Sequence, residues 1–189
     1  NIQARSRAPS VWLIANVRQA LLLSCANRSE AAVGYATMDG DTAGGLSPIA
    51  GVSKTFLQTW ASWMAQEGPQ GLSPITSLSS VLHLAPSAEL RPLSVQQTDE
   101  EDLMPYPILD ALESWLTQDR LSPAQLRLAL LKKFPEHDEA TLQEFLDRFL
   151  TLFRKSQWKR ERLAPSFHLD LSSLSPKSWF RYPILSGDS

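Results

Sequence analysis

The residues best placed to do chemistry lie in the stretch Ser24-Cys25-Ala26-Asn27-Arg28-Ser29-Glu30, which continues through Gly34-Tyr35 to Asp39-Gly40-Asp41. A short apolar run, Ala20-Leu21-Leu22-Leu23, ends there in a small polar turn. A helical pattern follows with Glu30 in its first turn, and then a loop rich in Asp and Gly. A strand that ends in a polar turn feeding a helix is where open α/β sheets bind their ligands. The helix start offers backbone N–H groups to anions, and a carboxylate there can hold a cation that bridges phosphates. Taken alone, Glu30 reads more readily as a solvated first-turn glutamate that favours the helix dipole.

The elements that must position these residues follow from periodicity and punctuation. The pattern predicts a helix from about Pro9 to Gln19, with Arg5 and Arg7 at or before its entry, because proline is tolerated only in a first helical turn. Residues 20–25 read as a buried strand and 29–37 as a short helix. Residues 38–52 hold Gly40, Gly44, Gly45 and Gly51 and read as loop. Ser53 caps a helix running to about Gln66, with Phe56, Leu57, Trp60 and Trp63 or Met64 at helical spacing. That stripe reads as core or subunit interface.

Residues 67–104 carry scattered Gly and Pro and the acidic run Asp99-Glu100-Glu101-Asp102, and read as an irregular lid in which only Val81-Leu82-His83-Leu84 suits a strand. The remainder reads as helical. Ile108, Leu109, Leu112, Trp115 and Leu116 form one face, and Ser122-Pro123-Ala124-Gln125 is a capping box with proline at the first helical position. Leu142, Phe145, Leu146, Phe149, Leu150 and Phe153 form another stripe, ending in a basic stretch around Trp158. The division expected is 1–66 as half of a nucleotide-binding α/β core, 67–104 as lid, 105–163 as helical subdomain and 164–189 as tail. A lone strand leaves its backbone groups unpaired, so the rest of its sheet is expected from outside this sequence.

Composition bounds the function. The chain has 189 residues, 43% hydrophobic and 20% charged, which suits a globular domain with a real core. A net charge of −2 speaks against a general nucleic-acid binder. The single cysteine, Cys25, rules out a disulfide within the chain and fits a reducing, cytoplasmic setting. His83, His137 and His168 are far apart in sequence, so a structural zinc site is not expected. No apolar run approaches the ~20 residues of a membrane span.

Several motifs, in one order and at near-family spacing, resemble the second half of the NAD synthetases. They are Asn27-Arg28-Ser29-Glu30, Gly34-Tyr35-Ala36-Thr37, Gly40-Asp41, Gly44-Gly45-Leu46, Pro48-Ile49 and Lys54-Thr55. Pro86-Ser87-Ala88-Glu89-Leu90-Arg91-Pro92, Gln97-Thr98-Asp99-Glu100, Pro105-Tyr106, Leu109-Asp110 and Trp158-Lys159-Arg160 continue the series. The late Arg181-Tyr182-Pro183-Ile184 is similar to the long, glutamine-dependent branch. The resemblance implies a Rossmann-like ATP-pyrophosphatase fold, helix-rich in this portion. It implies that the carboxylate of deamido-NAD attacks the α-phosphate of ATP, that pyrophosphate leaves, and that ammonia converts the mixed anhydride to NAD and AMP. A separate glutaminase domain would make that ammonia from glutamine, and the family's pairing through this domain implies a homodimer or larger homo-oligomer.

Carried over by position, Glu30 matches the magnesium ligand and Lys54 a lysine at the triphosphate, where a fixed cation offsets charge moving onto pyrophosphate. Cys25 and Ser87 fall at ATP-contacting positions, with Cys25 standing where the family often has threonine. Arg5 and Lys159 match the deamido-NAD site, and Asn1 is expected to begin that contact set. Asp41 lies in the loop over the reacting centre, where it could steer ammonia. The family's Ser-Gly-Gly-x-Asp-Ser phosphate loop is absent from this sequence, so the chain by itself is expected to be inactive as part of a longer one. Met38 and Trp158 stand where other members carry lysine and histidine. Two rival readings are a non-catalytic helical interaction module that keeps these residues as relics, and an ATP pyrophosphatase of the amidotransferase type acting on another carboxylate.

Overall fold

The computed structural model describes residues 2–84, 98–169, 172–177 and 182–184. Its helices are α1 (Ile2–Val17), α2 (Arg28–Val33), α3 (Lys54–Gln66), α4 (Leu78–Leu82), α5 (Asp99–Asp102), α6 (Tyr106–Thr117), α7 (Pro123–Lys133), α8 (Glu139–Lys155) and α9 (Gln157–Arg160). Asn1 and the Pro86–Pro92 segment with Ser87 lie outside the described residues. None of the described helices is long and apolar enough to cross a membrane.

The core is built by α6, α7 and α8, with α2 laid against them. Leu109, Leu112, Leu126, Leu130 and Phe149 are fully buried, and Ala31, Ala32 and Val33 of α2 close the cluster. The stripes expected on the last helices therefore do form a core. Helices α7 and α8 start where the sequence caps them. Ser122 accepts from the Gln125 N–H and Gln125 returns a bond to the Ser122 N–H, and Asp138 accepts from the Thr141 N–H to open α8. The core thus joins α2 to α6, α7 and α8.

Three expectations are corrected. Helix α1 begins at Ile2, and Pro9 lies inside it, so Arg5 and Arg7 are helical residues rather than a basic entry. Proline removes the N–H that the Arg5 carbonyl would have used. Only Ala4, Ala8 and Ala15 of this helix are buried, so water can take that place. Residues 20–25 form no strand. Their pairing is one parallel bridge between Leu23 and Leu46, with the Ser24 N–H donating to Leu46 O at 2.8 Å and the Gly45 N–H to Leu22 O at 2.9 Å. Ser47 extends this row to Ser166 by a second bridge. Leu21 and Leu23 remain exposed, so this segment is extended but not buried. Residues 78–82 are helical where 81–84 suited a strand.

Two loops depend on glycine. Gly34 ends α2 in the left-handed conformation at φ 65°. Gly40 brings its loop against α1, where a Cβ would lie 2.8 Å from the Ala4 backbone.

Candidate functional site

The N-termini of α2 and α3 meet. The Arg28 N–H donates to Val52 O at 2.9 Å, which places the turn before α3 beside the turn that opens α2. Asn27 caps α2, and Glu30 completes the capping box by accepting the Asn27 N–H at 3.2 Å. Ser53 caps α3. Both helix starts thus lie at one corner, their first N–H groups held by protein oxygens: Arg28 by Val52 O, Glu30 by Asn27, Lys54 by Ser29 and Thr55 by Asp110.

Glu30 and Lys54, two of the residues singled out by type, are paired in that corner. Lys54 Nζ lies 3.3 Å from Glu30 Oε1, and each side chain retains about a fifth of its exposure, 20% and 19%. Burial raises the Glu30 carboxyl above its ordinary range, and the charge of Lys54 pulls it back. Lys54 also stands over the Tyr106 ring, 5.4 Å from its centroid. Tyr106 donates to Asp99 at 3.0 Å and Tyr35 to Asp102 at 2.9 Å, so the acidic run is a capped helical turn docked by two tyrosines next to the pair. Burial raises both phenols, with the neighbouring carboxylates adding to it.

A second group gathers around the loop from Gly34 to Asp41. Lys159 Nζ donates to Gly34 O at 2.6 Å and to Ala36 O at 2.9 Å. Arg5 Nε donates to Met38 O at 3.0 Å from the other side. Asp41 accepts the Thr37 N–H at 2.7 Å, and Asp39 pairs with Arg162 at 2.6 Å. Burial lowers the Lys159 ammonium, and Asp41 partly restores it. Arg5, Trp12, Asp39, Thr42, Gly44 and Arg162 are among the residues lining a cleft of about 520 Å³ beside this loop.

The structure therefore brings together Glu30 with Lys54, and Arg5, Asp41 and Lys159 around one loop. Cys25 is exposed on the extended segment, outside both groups. Among the described residues no three or more His, Cys, Asp or Glu side chains gather in a metal-binding group. Glu30 thus offers a cation one carboxylate, which suits a metal completed by phosphate oxygens better than a protein cage.

Two features went unread in the sequence. Arg160 is 1% exposed. It donates to Ala32 O at 2.7 Å and Phe153 O at 2.6 Å, holding the C-terminal ends of α2 and α8. Burial pushes its guanidinium down to about 10. Arg28 reaches Glu113 at 3.0 Å in a buried pair. No local pattern in the sequence signals this pair, because Glu113 lies 85 residues from Arg28.

The corner thus sets a carboxylate, a group that can take a hard cation, beside a lysine, a group that can take an anion. The family model for NAD synthase matches residues 1–164, and the chain belongs to that family. It is similar to the glutamine-dependent NAD(+) synthetase of Synechocystis sp., 36% identical over 97% of this chain and 29% of the relative. The corresponding Xylella fastidiosa protein is 33% identical over 97% of this chain and 30% of its own length. The crystal structure of a glutamine-dependent NAD(+) synthetase from Cytophaga hutchinsonii superposes with a TM-score of 0.78 at 42% identity, over 98% of this chain and 28% of that one. The chain spans about 30% of the length of the curated relatives it matches.

Proposed function

We propose that this chain forms part of the ammonia-dependent ligase of a glutamine-dependent NAD(+) synthetase, in which ATP activates deamido-NAD and ammonia displaces AMP. The single observation that carries the reading is the Glu30–Lys54 pair at two converging helix starts. A hard cation prefers carboxylate oxygen, and a lysine suits phosphate as a point charge. When magnesium and ATP bind, Glu30 would give one oxygen to the metal and Lys54 would turn to the triphosphate, which it would stabilise as pyrophosphate leaves. Magnesium would neutralise phosphate charge in that step.

Arg5 and Lys159 would take deamido-NAD beside the loop they hold, and Asp41 would face the incoming ammonia. Asn1, Cys25 and Ser87 complete the proposed contact set, with Cys25 contacting ATP through its backbone, since a thiol is a weak partner. The phosphate loop and the glutaminase would come from further chain, giving a Rossmann-like ATP-pyrophosphatase whole. Exposed Trp12, Leu13 and Ile14 of α1 support a homo-oligomer, and the exposed thiol suits the reducing cytoplasm.

The test is NAD formation by the protein that carries this chain, supplied with ammonia, ATP, magnesium and deamido-NAD. Glu30→Gln and Lys54→Ala should each lower kcat by about 100-fold or more, the scale for losing one transition-state charge contact. Activity within twofold of the parent in both variants would overturn the assignment of this corner to the reaction. Turnover of another acid in preference to deamido-NAD would overturn the substrate.

A further inference from the structure

We propose that Asp110 is the positioning residue that sets Glu30 against Lys54. This rests on the reading of those two residues given above.

Asp110 lies on α6, on the bundle side of the corner, and its two carboxylate oxygens divide the work. Oδ1 accepts from the Ser29 hydroxyl in a short hydrogen bond. Oδ2 accepts from Thr55 twice, from its N–H at 3.0 Å and from its hydroxyl at 2.6 Å. Ser29 is itself fully buried, and its oxygen accepts the Lys54 N–H at 2.8 Å. A continuous chain therefore runs from the Lys54 backbone through Ser29 to Asp110 and back to Thr55. Ser29 immediately precedes Glu30, and Thr55 immediately follows Lys54.

One carboxylate on a core helix thus grips the neighbour of the metal ligand with one oxygen and the neighbour of the triphosphate lysine with the other. The Lys54 and Thr55 N–H groups belong to the four that a helix start leaves without intrahelical partners. Asp110 and Ser29 satisfy both, and the negative charge favours the α3 dipole. The hydrogen bonds of Asp110 go to Ser29 and Thr55, not to the Glu30 or Lys54 side chain. It fixes their backbones, and with them the distance that a metal bridged to a triphosphate must span. A group held this way loses little entropy when the ligand arrives, which is the source of a preorganised site.

Asp110→Asn keeps the size of the side chain but loses the charge and one acceptor. In the full protein that carries this chain, kcat/KM for ATP should fall about 10-fold or more, and half-saturation by magnesium should rise by a similar factor. KM for deamido-NAD should stay within twofold. The stabilisation by magnesium and ATP in a thermal shift assay should shrink in parallel, which reads binding without turnover. Ser29→Ala breaks the chain at one link, leaves the carboxylate in place, and should move the same quantities in the same direction by less. It also stands in if Asp110→Asn does not fold.

A purely structural role would lower active enzyme without changing the magnesium or ATP dependence, and that result in either variant overturns the proposal. Glu30→Gln and Lys54→Ala, run alongside, separate the two failures. If they abolish activity while Asp110→Asn is unchanged, only the positioning role is lost. If they too are unchanged, the site reading is lost with it.

Discussion

The bundle of α6, α7 and α8 and the segment from α1 to α3 solve different problems with the same kinds of residue. In the bundle, apolar stripes meet and bury each other, leaving Leu109, Leu112, Leu126, Leu130 and Phe149 without exposure. Helix α3 carries a stripe of the same spacing, yet Phe56, Trp60 and Trp63 are 55%, 40% and 39% exposed. The charged groups divide in the same way. The bundle's charges at its joint with α2 are sealed, as in Arg160 and the Arg28–Glu113 pair, whereas Glu30 and Lys54 keep enough exposure to exchange partners. The contrast teaches that rigidity and reactivity are assigned to separate parts. The bundle is a fixed back wall, and the α1–α3 segment presents groups that a ligand or another surface can still claim.

The largest effect should come from the wall. Phe149 is fully buried and stacks against Phe153 with ring centroids 5.5 Å apart. Phe149→Ala should cost about 3–5 kcal/mol, the usual range for emptying a buried aromatic site. Equilibrium denaturant unfolding measures it, and a loss below about 1 kcal/mol would mean that the bundle does not dominate stability.

Much of this wall was legible in the sequence, and the reason is local. Ser53 and Ser122 sit directly before helical patterns and satisfy N–H groups of their own helices, so a few adjacent residues carry all the information. The stripes on α6 and α8 depend only on helical spacing. The candidate site was legible in part. Glu30 and Lys54 could be picked by type and resemblance, but their distance depends on Asp110, far along the chain, and no local pattern encodes that. Misreadings share one cause. Ala20–Cys25 has the composition of a buried strand, but strand formation depends on neighbours, and here a single bridge to Leu46 is what the described residues provide. Pro9 reads as a helix start because proline costs a hydrogen bond in a helix interior, but in α1, where only Ala4, Ala8 and Ala15 are buried, that cost can be met by water. Asp99 belongs to a run that reads as part of an irregular lid, yet it is buried under Tyr106.

The strap between the two regions should show itself through pH. Glu113 is fully buried, and burial pushes its carboxyl up to about 7 from an ordinary 4.5, against the pull of Arg28. Arg28 also donates to Gly51 O and Ser172 O, while Thr117 donates to Glu113, so the pair ties α2, α6 and two loops. A raised folded-state value means that the folded chain binds the proton more tightly than the unfolded chain. The stabilisation it brings is complete below about 4.5 and fades as pH rises towards 7. Glu113→Gln should remove this slope, giving a flatter stability profile across that window. Denaturation midpoints at several pH values check it. An unchanged slope would mean that other groups set the pH dependence and that the strap is not a titrating one.

The smallest effect on stability should come from the exposed residues of α1. Leu13 and Ile14 on α1 are 64% and 60% exposed, so replacing them removes little buried area within this chain. Leu13→Ser combined with Ile14→Ser should change unfolding stability by less than about 0.5 kcal/mol, as surface substitutions usually do. The same change should weaken self-association, measured by sedimentation over a range of concentrations, because α1 would lose apolar area that only another surface can cover. A large loss of stability with unchanged association would instead place this helix face against further chain of the same molecule. Either result sharpens the contrast, since neither outcome is available to a side chain such as Phe149, whose partners all lie within the bundle and its immediate neighbours.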